Sequence, residues 1–243
     1  MISLCMIAKD EEKNIARAIN SVNSIVSEIV VVDTGSSDRT KKVAAGLGAK
    51  VYDFKWSNDF SDVRNFAKSK CTMPWILVLD ADEVVSKKDL NKVKALAESN
   101  DDACSFVQRT YSNKPAKLKW NLNDNQYEES KGYAGWTHRG IVRMFRNLAE
   151  IKFIYPIHET VMPSVKAILH SNIPIHHYPE NSAPKQELYL DLLRKKIAQH
   201  PNAKSYAEIA IHLDSMNRIA EAQVYASQAI KLNRQYLFLN KLF

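Results

Sequence analysis

The chain has 243 residues, 45% of them hydrophobic and 25% charged, with a formal net charge of +7. That make-up is one of a globular protein, a single large domain or a domain with an appendage, long enough to bury a sizeable core. No stretch approaches the roughly 18–20 consecutive apolar residues that a membrane-spanning helix needs. The three cysteines form no CxxC pair, which argues against a disulfide framework or a structural zinc site and fits a reduced cytosol.

The positive charge is scattered in pairs, such as Lys41 and Lys42, Lys87 and Lys88, or Lys195 and Lys196. With no zinc finger, RNA-recognition motif or long basic run, nucleic acid is not an expected partner. The surplus reads either as solvated helix faces or as a basic surface for phosphates and anionic lipid.

The opening residues lack a basic n-region, and acids follow their short apolar run, so they read as a first strand rather than a signal peptide. That strand is ISLCMIA, 2–8. In EEKNIARAINSV, 11–22, the residues Ile15, Ala18, Ile19 and Val22 fall on one helical face. EIVVVD, 28–33, is a second strand rich in β-branched residues. GSSDRTKKVAAGLG, 35–48, predicts a helix capped by Ser36 or Ser37 and ending near Gly46 or Gly48. KVYDF, 50–54, is a third strand, FSDVRNFAKSK, 60–70, a helix, and WILVLD, 75–80, a fourth strand. Apolar strands alternating with helices predict βαβ units and a mostly parallel, doubly covered sheet. In such sheets the ligand crevice lies at the carboxyl ends of the strands. Those ends carry Lys9, Asp10 and Glu11; Asp33, Thr34 and Gly35; and Asp80, Ala81 and Asp82.

Beyond residue 85 the pattern changes. Ser86 is placed to cap a helix over 87–99, and ACSFVQRTY, 103–111, reads as a strand. Residues 112–137 lack a period and hold Trp120, Tyr127, Tyr133 and Trp136. A loop of that length is more often functional than filler. GIVRMFRN, 140–147, IKFIY, 151–155, and IPIHHY, 173–178, predict strands of a second, mixed part of the sheet. From about residue 183 the chain is helical. An amphipathic helix over 184–200 ends before Pro201, and helices over 203–216 and 220–232 follow. Tyr206, Ile209, Ala210 and Leu213, then Ala222, Ala226 and Ala229, have the spacing of one tetratricopeptide unit over about 203–236, with Arg234 where proline would usually stand. The expected organisation is a domain over 1–182 and a helical segment over 183–243.

WILVLDADE poses a chemical question. A buried strand stops at Asp80, Asp82 and Glu83, and clustered carboxylates repel one another unless something positive or polar sits among them. The candidates are a metal ion, a basic side chain or water.

Four segments, SLCMIAKDEEKNI, IVVVDTGSSDRT, DVRNFAKSK and WILVLDADE, in this order over residues 1–85, resemble the family 2 glycosyltransferases with the GT-A fold, a Rossmann-like α/β architecture. The chain looks most like small bacterial members with tetratricopeptide repeats after the catalytic domain, relatives of lipopolysaccharide-core glucosyltransferases and of glycosyltransferases that modify peptides. The similarity thins after residue 100, where GIVRMFRN, IHE (157–159) and HHY (176–178) look like later landmarks of that subfamily.

The resemblance implies a nucleotide-sugar donor, a UDP-hexose, and an inverting transfer that uses Mg²⁺ or Mn²⁺. Charge grows on the diphosphate leaving group, and hard oxygen ligands hold the ion that offsets it. By analogy Asp82 ligates that ion, Asp80 lies nearer the ribose, and Asp33 faces the base, accepting the uracil N3–H. Thr34 stands where a second acid is usual. Ala8, Asp10, Glu11, Arg64 and Ala81 would line the donor pocket; Glu11 reads equally as a first-turn acid at a helix start. Glu159 is the expected base, with Glu128 and Glu129 as rivals. His158 would orient Glu159, touch phosphate or complete the metal shell. The four aromatics of 112–137 would stack on sugars or lie in the core. Arg139, Arg143 and Arg146 would meet phosphate or simply alternate outward along a strand.

The expected acceptor is a glycan or glycolipid of the bacterial envelope, met from the cytoplasm at the inner face of the plasma membrane through a basic surface. A peptide or protein side chain held by the C-terminal helices is the alternative. A catalytically inactive, nucleotide-sugar-binding scaffold is the reading from another class. A nucleotidyltransferase is disfavoured because only DTGSSDRT stands where a glycine-rich phosphate loop would.

Overall fold

The structure is a computed structural model of the chain that describes residues 1–162, 167–179 and 182–242. Strands β1 (Ile2–Ala8), β2 (Glu28–Asp33), β3 (Lys50–Asp53) and β4 (Trp75–Val78) alternate with helices α1 (Ile15–Val22), α2 (Thr40–Gly46) and α3 (Phe60–Lys70). Then come β5 (Glu83–Val85), α4 (Leu90–Leu96), β6 (Ala103–Ser112), β7 (Trp120–Leu122), β8 (Gly135–Arg146), β9 (Lys152–Ile154), β10 (Thr160–Met162) and β11 (Ile168–His177). Helices α5 (Ala183–Gln199), α6 (Ala203–Ser215) and α7 (Ile219–Leu232) follow.

The main sheet has the order β3-β2-β1-β4-β8-β6-β11-β5, and β7 adds to β8. β1 pairs in parallel with β2 and β4, and β2 with β3. Beyond β4 the sheet is mixed: β8 runs antiparallel to both β4 and β6, while β11 is parallel to β6 and antiparallel to β5. One face packs under α1, α2 and α4 through Ile15, Ile19, Ala44 and Val93. The other packs against α3 and the β9–β10 hairpin through Val63, Ala67, Phe153 and Val161. Cover on both faces explains why every residue of β2 is buried and why its sequence does not alternate. Cys5, Cys71 and Cys104 are free and buried.

α1 buries the residues its periodicity selects, Ile15, Ala18, Ile19 and Val22. α3 is capped by Asp59, whose side chain accepts from Ser61 N at 2.9 Å, with Asp62 in its first turn and Lys68 and Lys70 in its last, each charge suited to the helix dipole. Four expectations need correction. α2 starts at Thr40, not at Ser36 or Ser37, because Asp33 Oδ1 accepts from Gly35 N (2.9 Å) and Ser36 N (2.8 Å) and ties those residues into a turn. The helix over 87–99 is a short 3₁₀ turn followed by α4, and Ser86 makes no side-chain cap. The region 112–137 is not one loop: β7 lies inside it, and β8 begins at Gly135, where an added methyl would collide with the Asn121 carbonyl and the Trp120 indole. Finally, β9 leaves the main sheet and pairs with β10.

The C-terminal helices pack as a layered unit. Leu190 and Leu193 of α5, Ile209 and Leu213 of α6 and Ala222 of α7 form one apolar cluster, which also holds Ile157 from the loop after β9. Ala207 and Ala210 meet Ala226 and Ala229 in a second cluster, the close approach that small residues at helical spacing allow. Among the described residues, no helix is long and apolar enough to cross a membrane.

Candidate active site

The carboxyl ends of β1, β2 and β4 lie side by side, since Ala8 pairs with Asp33 and Cys5 with Val78. Three loops meet there. At the end of β1, Asp10 has a φ of +55° and its Oδ1 accepts from Ser37 N at 2.8 Å. Glu11 N donates to Thr40 Oγ1 at 2.7 Å, and the Glu11 side chain accepts from Asn14 Nδ2, so this acid is engaged at the start of α1. At the end of β2, Asp33 is fully buried. Its Oδ1 serves the turn, and its Oδ2 is buried without a hydrogen-bond partner. A buried carboxylate oxygen left unpaired is costly and marks a place where a donor group is expected.

The loop after β4 answers the question its acids pose, and the answer for Asp80 is basic side chains. Arg64 Nη2 donates to Asp80 Oδ1 at 2.6 Å, and Arg143 Nη2 to Asp80 Oδ2 at 2.6 Å. Burial alone would raise the Asp80 carboxyl; Arg143 and then Arg64 outweigh it and hold the group far below the usual carboxylate range. Arg143 Nη2 also donates to Glu83 Oε1 at 2.7 Å, and Asp80 N to Glu83 Oε2 at 2.9 Å. Gln108 continues the chain, donating to Glu83 and accepting from Arg139 Nε at 2.6 Å. Arg64 Nε reaches Glu159. Burial would raise the Glu159 carboxyl, but the Arg64 guanidinium keeps it below the ordinary glutamate value. Three arginines and three acids thus form one compensated, largely buried network.

Arg143 occupies this position through a β-bulge. Cys104 pairs with Met144 and Ser105 with Val142, which leaves Arg143 as the extra residue of β8. Bulges re-aim side chains, and this one seats the guanidinium 4% exposed between Asp80 and Glu83. Of the other two strand arginines, Arg139 joins the network, and Arg146 donates to the carbonyls of Asp101 and Ser99 rather than facing the site.

Asp82 is placed differently. Its carbonyl accepts from Tyr178 N at 3.0 Å, and its Oδ2 lies 3.4 Å from His177 Nε2. Ala81 beside it is buried. His158 lies elsewhere: its Nδ1 is 3.5 Å from Glu208 Oε2 on α6. Among the described residues, no group of three or more His, Cys, Asp or Glu is arranged to hold a metal ion. Of the rival bases, Glu128 is 80% exposed and pairs with Lys131 at 2.5 Å, while Glu129 lends its carbonyl to Tyr178 Oη.

The aromatics divide in two. Tyr127 and Tyr133 belong to a cluster with Tyr111, His176 and Tyr178. In that cluster His176 Nδ1 lies 2.7 Å from Tyr111 Oη. Trp136 lies under the Arg109 guanidinium at 4.1 Å, and Trp120 packs on Gly135. Residues missed by sequence reasoning are Glu83, Arg143 and His177 as partners of the central acids. Glu83 stood in plain view in DADE, and His177 in HHY; the bulge at Arg143 left no mark in the sequence.

Comparison with known proteins agrees with this fold. The family model described as glycosyl transferase family 2 matches residues 3–159. A TPR repeat-containing protein of Synechococcus elongatus is 34% identical over 167 residues, covering 69% of this chain and 37% of that protein. The chain spans little more than a third of the length of the curated relatives it matches. S. aureus TarS 1-349 in complex with UDP-GlcNAc superposes with a TM-score of 0.54 at 14% identity, covering 98% of this chain and 81% of that one. Glucosyl-3-phosphoglycerate synthase from Mycobacterium tuberculosis, in complex with Mn²⁺, UDP and glucosyl-3-phosphoglycerate, superposes with a TM-score of 0.50 at 16% identity, covering 88% and 78%. At these identities the structural likeness establishes the GT-A fold.

Proposed function

The chain belongs to glycosyl transferase family 2, and on that premise we propose that it transfers a hexose from a UDP-sugar to a hydroxyl of a bacterial envelope glycan or glycolipid, with inversion at the anomeric carbon. The observation that carries the donor reading is the buried, unpartnered Asp33 Oδ2 at the head of the crevice. A carboxylate oxygen there accepts the N3–H of uracil and offers nothing to the acceptor atom that cytosine presents at that position. The UDP complexes of two proteins of the same fold support this choice.

Asp82 and His177 fit a divalent cation. A carboxylate and an imidazole 3.4 Å apart supply two donors and leave the remaining positions to water and diphosphate, the manner in which Mg²⁺ and Mn²⁺ are commonly held. His177 is preferred to His158 for this role because His158 is turned to Glu208. A cation bound there would supply Lewis-acid neutralisation of the leaving diphosphate. Asp80, fixed by two guanidinium groups, is a rigid acceptor for a ribose hydroxyl. Ala8, Asp10, Glu11 and Ala81 line the same strand ends. Glu159 is the base: held ionised by Arg64, it takes the acceptor hydroxyl proton as that oxygen bonds to the anomeric carbon and the bond to the diphosphate breaks. The same ion pair lowers its proton affinity, so Glu159 trades driving force for being deprotonated across the working pH range. The helical segment from residue 183 on, with its tetratricopeptide-like pair α6–α7, is assigned to the wall of this site and to acceptor approach. The scattered positive charge suits anionic lipid at the inner face of the plasma membrane.

Thermal unfolding with UDP, GDP and CDP, each with and without Mn²⁺, tests the reading. A ligand that binds only the native state raises the midpoint by mass action. UDP with Mn²⁺ is expected to give the largest shift. Equal shifts from all three nucleotides would sink the assignment of Asp33, and no shift from any would favour an inactive scaffold.

A further inference from the structure

Glu159 is presented by a loop whose backbone is unusual. Tyr155 has a φ of +80° and His158 a φ of +49°. Neither is glycine, and side chains with a Cβ occupy this region at a cost, persisting only where surrounding contacts over-determine the conformation.

Most of those contacts come from the C-terminal helices. Ile157, 2% exposed, is buried among Leu190 and Leu193 of α5 and Ile209 and Leu213 of α6. The Tyr155 ring meets His200 edge-on at 4.8 Å, and Lys196 Nζ lies 4.6 Å from the centre of the same ring. Lys196 comes from α5, its side chain 2% exposed, and its Nζ donates to Glu208 Oε2 of α6 at 2.6 Å. That oxygen also lies 3.5 Å from His158 Nδ1. From the other side Phe60 N donates to the Pro156 carbonyl at 2.9 Å, Arg64 Nε reaches Glu159, and Trp56 and Phe60 pack against the cluster around Ile157, but none of these touches the Tyr155 ring or the His158 imidazole. A buried ammonium and carboxylate are costly to desolvate, and an apolar pair of similar volume would fill the space at least as well for stability alone. The pair is therefore better explained by what it orients than by what it stabilises.

We propose that Lys196 and Glu208 are positioning residues for Glu159: through His158 and the Tyr155 ring they hold these two residues of the 155–159 loop at their positive φ, so that α5 and α6 are an integral wall of the catalytic site. This deepens, and rests on, the reading of Glu159 as the base. Burial, opposed by His158 and Lys196, leaves the Glu208 carboxyl below its ordinary value, while burial lowers Lys196, so geometry rather than charge alone carries the link. A second clamp runs beside it, from Lys195 Nζ to the Asn58 carbonyl at 2.9 Å and to the α3 cap Asp59 at 3.3 Å.

The test uses the full chain and two variants: Glu208→Gln, and the paired Lys196→Met with Glu208→Leu, which replaces the ion pair by apolar side chains of similar size. UDP release from UDP-glucose and from UDP-N-acetylglucosamine with Mn²⁺ reads catalysis, titration with UDP reads donor binding, and amide hydrogen exchange at residues 157–160 reads the loop. The proposal expects kcat to fall at least tenfold with the UDP Kd within twofold, and exchange in the loop to accelerate at least tenfold. A folded variant with wild-type turnover and wild-type exchange overturns it. Should the paired variant fail to fold, Glu208→Gln decides by the same readings. Should the unaltered protein release no UDP from either donor, the functional reading fails, and the exchange measurement still decides whether these residues hold the loop.

Discussion

Arg143 Nη2 stands 2.6 Å from Asp80 Oδ2, 63 residues apart in sequence, and joins the parallel half of the sheet to its mixed half at the centre of the crevice. The guanidinium is almost wholly buried and also serves Glu83. Removing one member of such a cluster leaves the others buried and uncompensated. Arg143→Met is expected to lower stability by about 3–5 kcal/mol, read as a fall in the urea midpoint. Arg143→Lys is expected to recover only part of this, because both bonds come from the one Nη2 and the shorter lysine side chain holds its ammonium nearer the backbone. A variant as stable as the parent would show that the network is not under this load.

Asp33→Asn separates folding from donor recognition. The amide oxygen can still accept from Gly35 and Ser36, so the turn survives, while an NH₂ replaces the free Oδ2 and meets the uracil N3–H donor to donor. Loss of a hydrogen bond to a charged acceptor is worth about 1.5–3 kcal/mol, so UDP affinity should fall roughly 10- to 150-fold, with the ligand-free unfolding midpoint almost unchanged. Calorimetric titration with UDP checks this, and unchanged affinity would remove Asp33 from the base site.

Asp82→Asn should leave the fold in place, since the backbone bond from Tyr178 N to the Asp82 carbonyl is untouched. The expected losses are the Mn²⁺-dependent part of the UDP-induced thermal shift and at least about 100-fold in turnover, the scale on which removal of one preorganised charge-stabilising group acts. His177→Gln should weaken the Mn²⁺ dependence in the same direction. A His177 variant with an unaltered Mn²⁺ titration would return the metal shell to other residues.

Stability should decline in two acid windows. Burial, reinforced by the Arg109 guanidinium, pushes His176 down to about 3 from an ordinary 6.5. The unfolded chain therefore takes up a proton below pH 6.5 that the folded chain refuses, and stability falls as the pH drops from 6.5 toward 3. Glu28 is held at about 2, against the burial that opposes it, by Ser3, Thr72 and Lys50. Its contribution is complete above the unfolded value of 4.5 and is lost between 4.5 and 2. Of these two groups the histidine is the one that acts between pH 7 and pH 5, with an expected loss of about 2 kcal/mol. Urea denaturation at the two pH values measures it. His176→Gln should flatten that interval, and an unchanged slope would refute the assignment.

Much of the catalytic half was legible from residue order alone. β1, α1, β2, α3 and β4 are local structures with one dominant period each, and α3 lies where FSDVRNFAKSK places it. The acids at strand ends follow from topology. What could not be read depends on long-range pairing. Glu159 meets Arg64 across 95 positions, and His177 meets Asp82 only because β11 enters the sheet beside β5. Ser36 and Ser37 look like cap residues, but Asp33 and Asp10 claim their amides first. Arg143 sits where alternation along a regular strand would misplace it, since one extra residue reverses the side-chain sense.

The sheet order has a consequence for the behaviour of the protein in crowded solution. Among the described residues the strands at the ends of its main path are β3, of four residues, and β5, of three, and the side strand β7 has three. β3 begins at Lys50, whose Nζ is occupied by Glu28, and ends at Asp53, bonded to Lys41. β5 gives way at once to the paired lysines 87 and 88. Rows of unpaired amides this short, bounded by charge, are poor templates for a foreign strand. The ten-residue β6 is paired on both sides, by β8 and by β11, so the fold that gathers the acids also keeps this long strand away from edge-to-edge aggregation.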